Sequence, residues 1–270
     1  MSVGTVFRVA GAVFKESVRD RVLYNLVGFA ILLIGASYLI GQLTAGQDVK
    51  IIKDLGLAAM SVFGLFIAIF IGIGLVSKEV ERRSVYSLLA KPVRRSELVV
   101  GKYAGLVLTV LVNLAIMAAV VYLVLGYMDW IENPEAKKAW EAPATDPRML
   151  VAMFLIFIEL ALVIAIALFF STFSSPMLAA AFTFGLFVAG QFSADLKNFE
   201  MAVESPVATT IASGLYYVLP NFAVFDVKST VVHGQPLAAT LVATSTVYGL
   251  FYITGLVMLA VLIFSKRDFK

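Results

Sequence analysis

The sequence predicts an all-α integral membrane protein with six transmembrane helices, an N-terminal amphipathic elbow helix and a short re-entrant or interfacial helical hairpin before the last span. Three observations carry this. Apolar residues make up 61% of the 270-residue chain and charged residues 14%, against about 45–50% and about 25% in soluble domains, so lipid must be the main solvent. The apolar runs are continuous rather than alternating, which selects helices over a closed barrel. The charges collect in short segments between those runs. Cysteine is absent, which excludes disulfides and thiolate metal sites.

Residues 1–21 form the elbow. Val3, Phe7, Ala10, Phe14 and Val18 recur at three- and four-residue spacing, with Arg8, Lys15, Glu16 and Arg19 between them, the pattern of a helix lying along a membrane surface. A secretory signal fits less well, because the charges extend too far and the next apolar run is about twice the usual length. That run, 22–47, carries no charge and at about 1.5 Å per residue exceeds a ~30 Å hydrocarbon core. It is the first span.

A loop holding Asp48, Lys50, Lys53 and Asp54 leads to the second span, 55–77. The charged segment 78–102 and the third span, 103–128, follow. Residues 129–148 contain Pro134, Pro143 and Pro147 and are bordered by Trp130 and Trp140, as expected of an external loop with aromatic residues at headgroup depth. From Leu160 to Ala194 no residue is charged, and a single helix of that length would measure about 52 Å. It must fold back. The break is placed at Ser171–Pro176, where proline disfavours helix before it and the hydroxyls can satisfy freed backbone groups. Span four is then 149–172 and span five 177–194. Residues 195–236 form the external hairpin, whose apolar piece between Pro206 and Pro220 is too short to cross. Tyr216 and Tyr217 read as its interfacial anchors. The last span is 240–264.

Six crossings put both termini on one side, which carries 14 of the 21 basic residues; the other carries seven, with eleven acids. The positive-inside rule makes the first side cytoplasmic. Topology therefore accounts for a sequence pI near 9.0, and no nucleic-acid partner is expected.

The segment 78–102 holds Lys78, Arg82, Arg83, Lys91, Arg94, Arg95 and Lys102. Glu79 to Ala90 reads as a helix with a Glu79/Arg83 pair at i,i+4, stopped by Pro92. Ser96 is a candidate N-cap for the third span, and Arg94 and Arg95 read as interfacial anchors. A short, stiff connection would pass a push to spans two and three together.

KEVERRSVYSLLAKPVRRSELVVGKYAGL resembles the first cytoplasmic connection of the permease subunits of ATP-binding cassette (ABC) transporters of the type-two export class. The elbow, the six spans, a hairpin matching LYYVLPNFAVFD and the basic end FSKRDF are similar to that family as well. The resemblance implies a non-catalytic transmembrane subunit in the cell (inner or cytoplasmic) membrane. It implies a homodimer or related heterodimer docked on a separate cytoplasmic ABC ATPase, which would bind the ATP and Mg. No cofactor is expected in this chain. Glu79, Glu81, Arg82, Arg83, Tyr86, Leu88, Leu89 and Pro92 would be the docking segment. Tyr216, Tyr217 and Pro220 would belong to the hairpin that closes the outer end. A positive-inside anchor accounts for the basic residues of the segment but not for its proline-terminated helix.

Glu159 falls near the middle of span four, and no Lys, Arg or His lies within the predicted spans to pair with it. It is either a polar point on a cargo path or gate, or one end of an interhelical hydrogen bond to a Ser or Thr. Small residues repeat every four positions at Gly64, Ala68 and Gly72, at Gly101 and Gly105, and at Ala181, Gly185 and Ala189. Such ridges let helices approach closely, within one subunit or at a dimer seam. His233, the one histidine, has no His, Cys or carboxylate cluster near it in sequence and reads as a surface residue. No metal site is expected. There is no P-loop, H-E-x-x-H or G-x-S-x-G motif, so neither ATP binding nor hydrolase chemistry is expected here. The reading is an exporter permease. A membrane scaffold or assembly factor is the alternative, and a proton-coupled carrier built on Glu159 is the weaker third.

Overall fold

The computed structural model describes residues 2–43, 48–81, 94–138, 140–193 and 219–266, and every regular element among them is helical. In chain order these are α1 (Val3–Ser17), α2 (Arg21–Gln42), α3 (Asp48–Glu81), α4 (Arg95–Ile131), α5 (Pro134–Lys137), α6 (Arg148–Ser171) and α7 (Pro176–Gln191). A 3-10 turn (Phe222–Phe225), α8 (Lys228–Val232) and α9 (Ala239–Lys266) complete them. Five helices are long and apolar enough to cross a membrane: α2, the 48–73 part of α3, α4, α6 and α9. The sixth apolar helix, α7, has only 16 residues, about 24 Å of axis against a ~30 Å core.

The bundle is arranged around α6. Its sequence is apolar on every side, and residues 155–156 and 158–168 are all buried, as expected of a helix enclosed by other helices. It packs against α3, α4, α7, α8, α9 and the 3-10 turn. The turn into α7 satisfies its own carbonyls: the hydroxyls of Ser171, Thr172 and Ser174 donate to the carbonyls of Leu168, Phe169 and Phe170 at 2.7, 2.7 and 2.6 Å. Pro176 then opens α7 at a position that needs no amide donor.

Several helix ends differ from the sequence reading. Residues 48–54, expected as a loop, are the first turns of α3. Helix is retained because the charges find partners alongside it: Lys53 Nζ donates to the Pro143 carbonyl at 2.6 Å, and Lys50 Nζ reaches Glu141 Oε1 at 3.5 Å. α4 begins at Arg95 rather than 103, with Arg94 rather than Ser96 as the N-cap residue. Glu97 decides this, since one of its carboxylate oxygens accepts from the Arg94 N–H at 3.4 Å and the other from the Ser2 N–H at 2.6 Å.

The two ends of the bundle are defined by their polar contacts. At one, Ser2 meets Glu97, and Arg95 Nη1 donates to the Ser265 carbonyl at 2.9 Å, so the starts of α1 and α4 and the end of α9 lie together. At the other, Arg148 Nη1 donates to the Gly234 carbonyl at 2.5 Å. α7 and the 219–234 segment thus lie on the path by which the chain returns from the first end to the second.

Candidate functional site

Glu159 is the acid inside α6, and it is 5% exposed. A carboxylate among Leu, Ile and Ala side chains needs a donor. Gln191 supplies it, donating from Nε2 to Glu159 Oε1 at 2.8 Å. Because Gln191 is the last residue of α7, the shortness of that helix sets its amide at the level of mid-α6.

The space beyond the end of α7 is occupied by the segment that begins at Pro220. Two glycines admit it. A Cβ on Gly190 would collide with the Pro220 carbonyl and lie 2.5 Å from the Phe222 ring; one on Gly249 would lie 2.6 Å from Ile158 and 3.2 Å from the Phe225 ring. Phe222 and Phe225 are consequently 0% and 1% exposed. α9 pins the backbone of the segment, since Tyr248 Oη accepts from the Asn221 N–H at 2.7 Å and Ser245 Oγ donates to the Val224 carbonyl at 2.8 Å.

That anchoring brings Lys228 inward. Its Nζ donates to Ser61 Oγ of α3 at 3.3 Å and lies 3.6 Å from Asp226 Oδ1. Lys228 and Asp226 are the two charged groups that act on the Glu159 carboxylate. Ser61, Glu159, Gln191, Asp226 and Lys228 therefore form one polar cluster where α3, α6, α7 and the 220–232 segment meet. Ser61 is eight residues further along α3 than Lys53, or about 12 Å below the level of the Pro143 contact. Among the described residues Glu159 has no ion pair, in line with the sequence reading; Lys228, which sequence places in the external hairpin, contacts Ser61 and Asp226 and lies within electrostatic range of the Glu159 carboxyl. The expected Ser or Thr partner of Glu159 is instead an amide. Ser61, Gln191, Asp226 and Lys228 were not singled out by sequence. A lone amide closing an uncharged run was the one available signal, and it named no partner.

No group of three or more metal-ligating side chains occurs among the described residues. What the cluster can do is hold. The Lys228 contact with Ser61 ties the segment after Pro220 to α3, and the Gln191 amide ties α7 to α6.

A second cluster lies at the same end of the bundle, nearer solvent. His233 Nδ1 is 2.7 Å from Glu141 Oε2, whose other oxygen faces Lys50. His233 is on the surface, as expected, but it has a carboxylate partner that sequence proximity did not suggest. The hydrogen bond from His233, then the charge of Lys50, hold the Glu141 carboxyl below the usual range. Gly234 closes the turn with φ 65°, and a Cβ there would lie 2.8 Å from Ala142.

The small-residue ridges divide. Ala68 is fully buried; a Cβ on Gly64 would collide with Leu160 and one on Gly72 would lie 2.8 Å from Ala167 Cβ, so this ridge packs α3 on α6. Gly101 and Gly105 pack α4 on α1, where added Cβ atoms would lie 2.7 Å from Val9 Cβ and 2.6 Å from the Ala10 carbonyl. Ala181 and Gly185 are exposed, Ala189 is half-buried, and Gly185 has no neighbour within 4 Å of an added Cβ. Of the proposed docking segment, Glu79 and Glu81 belong to the last turn of α3. Arg82, Arg83, Tyr86, Leu88, Leu89 and Pro92 lie outside the described residues, as do Tyr216 and Tyr217. Pro220 is described and buried.

Comparison with protein families matches residues 8–269 to the family described as "ABC-2 family transporter protein". No curated protein matches the chain.

Proposed function

The chain belongs to the ABC-2 family of transporter proteins, and from that membership we propose that it is the non-catalytic permease subunit of an ATP-driven exporter. The observation that carries this is a family match across almost the whole length of a chain with five helices able to cross a membrane. ATP and Mg bind a separate cytoplasmic ATPase. The end of the bundle that gathers Ser2, Arg94, Arg95 and Ser265 faces the cytoplasm, in keeping with the excess of basic residues there.

The segment 78–102 receives the ATPase through Glu79, Glu81, Arg82, Arg83, Tyr86, Leu88, Leu89 and Pro92. α3 and α4 carry its movement into the membrane, because they flank that segment. A second copy of the chain, or a related permease, covers the exposed Ala181 and Gly185 face of α7. The 220–232 segment closes the outer end, and the Ser61, Glu159, Gln191, Asp226 and Lys228 cluster holds it closed.

Affinity purification of the tagged chain from its own cells tests this. An ABC ATPase should co-purify, and its turnover should fall when Glu79, Arg82 or Arg83 is replaced by alanine. Purification without an ATPase would favour a membrane scaffold instead.

A further inference from the structure

Helix α1 has three faces, each spelled by the same spacing. Val6, Ala10, Val13 and Ser17 turn towards α4; Ala10, Val13 and Ser17 are buried there. One position on, Val3, Phe7, Phe14 and Val18 form an apolar edge, with Val3 67% and Phe7 73% exposed. One position further, Arg8, Lys15 and Arg19 form a basic line, all three exposed. Among the described residues the Arg8 guanidinium makes one bond, from Nε to the Gly4 carbonyl at 3.3 Å. Neither Lys15 nor Arg19 has an ion pair among the described residues. Glu16, the acid of this helix, lies on the side away from the apolar edge.

The helix cannot roll to hide these faces. Gly101 and Gly105 bring its backbone against α4, and Glu97 holds the Ser2 N–H. Exposed apolar and cationic side chains on adjacent lines suit one kind of surface, a bilayer whose acyl chains take Phe7 and Val3 while its headgroups meet the cations. A protein partner would account for the basic line but would leave a phenylalanine edge beside it without a solvent.

We infer that the α1 face made by Arg8, Lys15 and Arg19 is a binding surface for anionic lipid headgroups, with Val3, Phe7 and Phe14 seated in the adjoining acyl layer. The surface would select phosphatidylglycerol-like lipids over zwitterionic ones at the foot of α4.

The test uses the full chain in vesicles. With Trp130 and Trp140 replaced by phenylalanine, Phe14→Trp provides a single reporter beside the basic line, and brominated phosphatidylglycerol or brominated phosphatidylcholine serves as quencher. The parent should favour the anionic lipid at this site by at least about fivefold, the effect of one well-placed cation. The preference should shrink in about 1 M salt. Arg8→Gln, Lys15→Gln and Arg19→Gln together should bring it to about one, whereas Arg8→Lys with Arg19→Lys should keep it, which controls for folding. Equal quenching by both lipids in the parent overturns the proposal, as does a preference that survives the triple change. A triple variant that keeps its lipid preference but loses a bound protein would assign the face to that protein. No ATPase takes part, so the outcome is independent of the docking proposed above.

Discussion

The Lys228 ammonium donates to the Ser61 hydroxyl at 3.3 Å, tying the segment that follows Phe225 to the middle of α3. The same cation faces Asp226 at 3.6 Å and acts on Glu159. One partly exposed ammonium therefore serves Ser61 and Asp226 directly and lies within electrostatic range of Glu159.

Lys228→Met should lower stability by about 1–2 kcal/mol, less than for a fully buried pair because water reaches the lysine. The sign of the next step is more telling. Adding Glu159→Gln should recover part of the loss, since it replaces a desolvated acid near the vacated cation with an amide that still accepts from Gln191. Thermal unfolding of the purified chain in detergent measures both. A double variant less stable than Lys228→Met would show that Glu159 does not depend on Lys228.

The Gly64 and Gly72 contacts with α6 predict different costs for one methyl group. At Gly64 the obstacle is Leu160 Cδ1, the far end of a side chain that can rotate. At Gly72 it is Ala167 Cβ at 2.8 Å, which moves only with its backbone. Gly72→Ala should therefore cost about 1–3 kcal/mol, and Gly64→Ala less than about 1 kcal/mol. Parallel thermal melts of the two variants check the order.

The long helices were legible in the sequence because charge-free runs in lipid have one backbone solution. The Ser171–Pro176 reversal was legible for a similarly local reason, a proline preceded by hydroxyls. The cluster was not. Glu159 stood out as an acid in an apolar run, but Gln191 and Lys228 come to it only because α7 stops early and Gly190 and Gly249 let Phe222 and Phe225 in. Those are contacts between elements far apart in the chain, and no spacing rule encodes them. The loop expected at 48–54 failed for the same reason, since Lys53 is satisfied by the carbonyl of Pro143.

Gly185 offers a test of the proposed second copy. Nothing lies within 4 Å of a Cβ added there, so Gly185→Leu should leave the stability of the single chain within about 0.5 kcal/mol. If another copy covers this face of α7, the larger side chain would separate the two. Light scattering of the detergent-solubilised protein should then show the mass per particle fall from two chains to one. A dimer unaffected by Gly185→Leu would place the seam elsewhere and leave this face to lipid.

The Glu141 contacts give the Arg148–Gly234 end of the bundle a pH dependence whose sign is fixed. The His233 hydrogen bond and then Lys50 hold the folded-state carboxyl below its ordinary value of 4.5. A depressed carboxyl contributes stability that is present above its unfolded value and is lost as pH falls through the lower folded one. The difference in melting temperature between the parent and Glu141→Gln should therefore be present at about pH 5 and should close in more acidic buffer. His233→Ala removes the larger cause and leaves only Lys50, so the closing should begin at a higher pH in that background. A difference that persists unchanged at about pH 3 would mean that Glu141 matters for its shape and not for its charge.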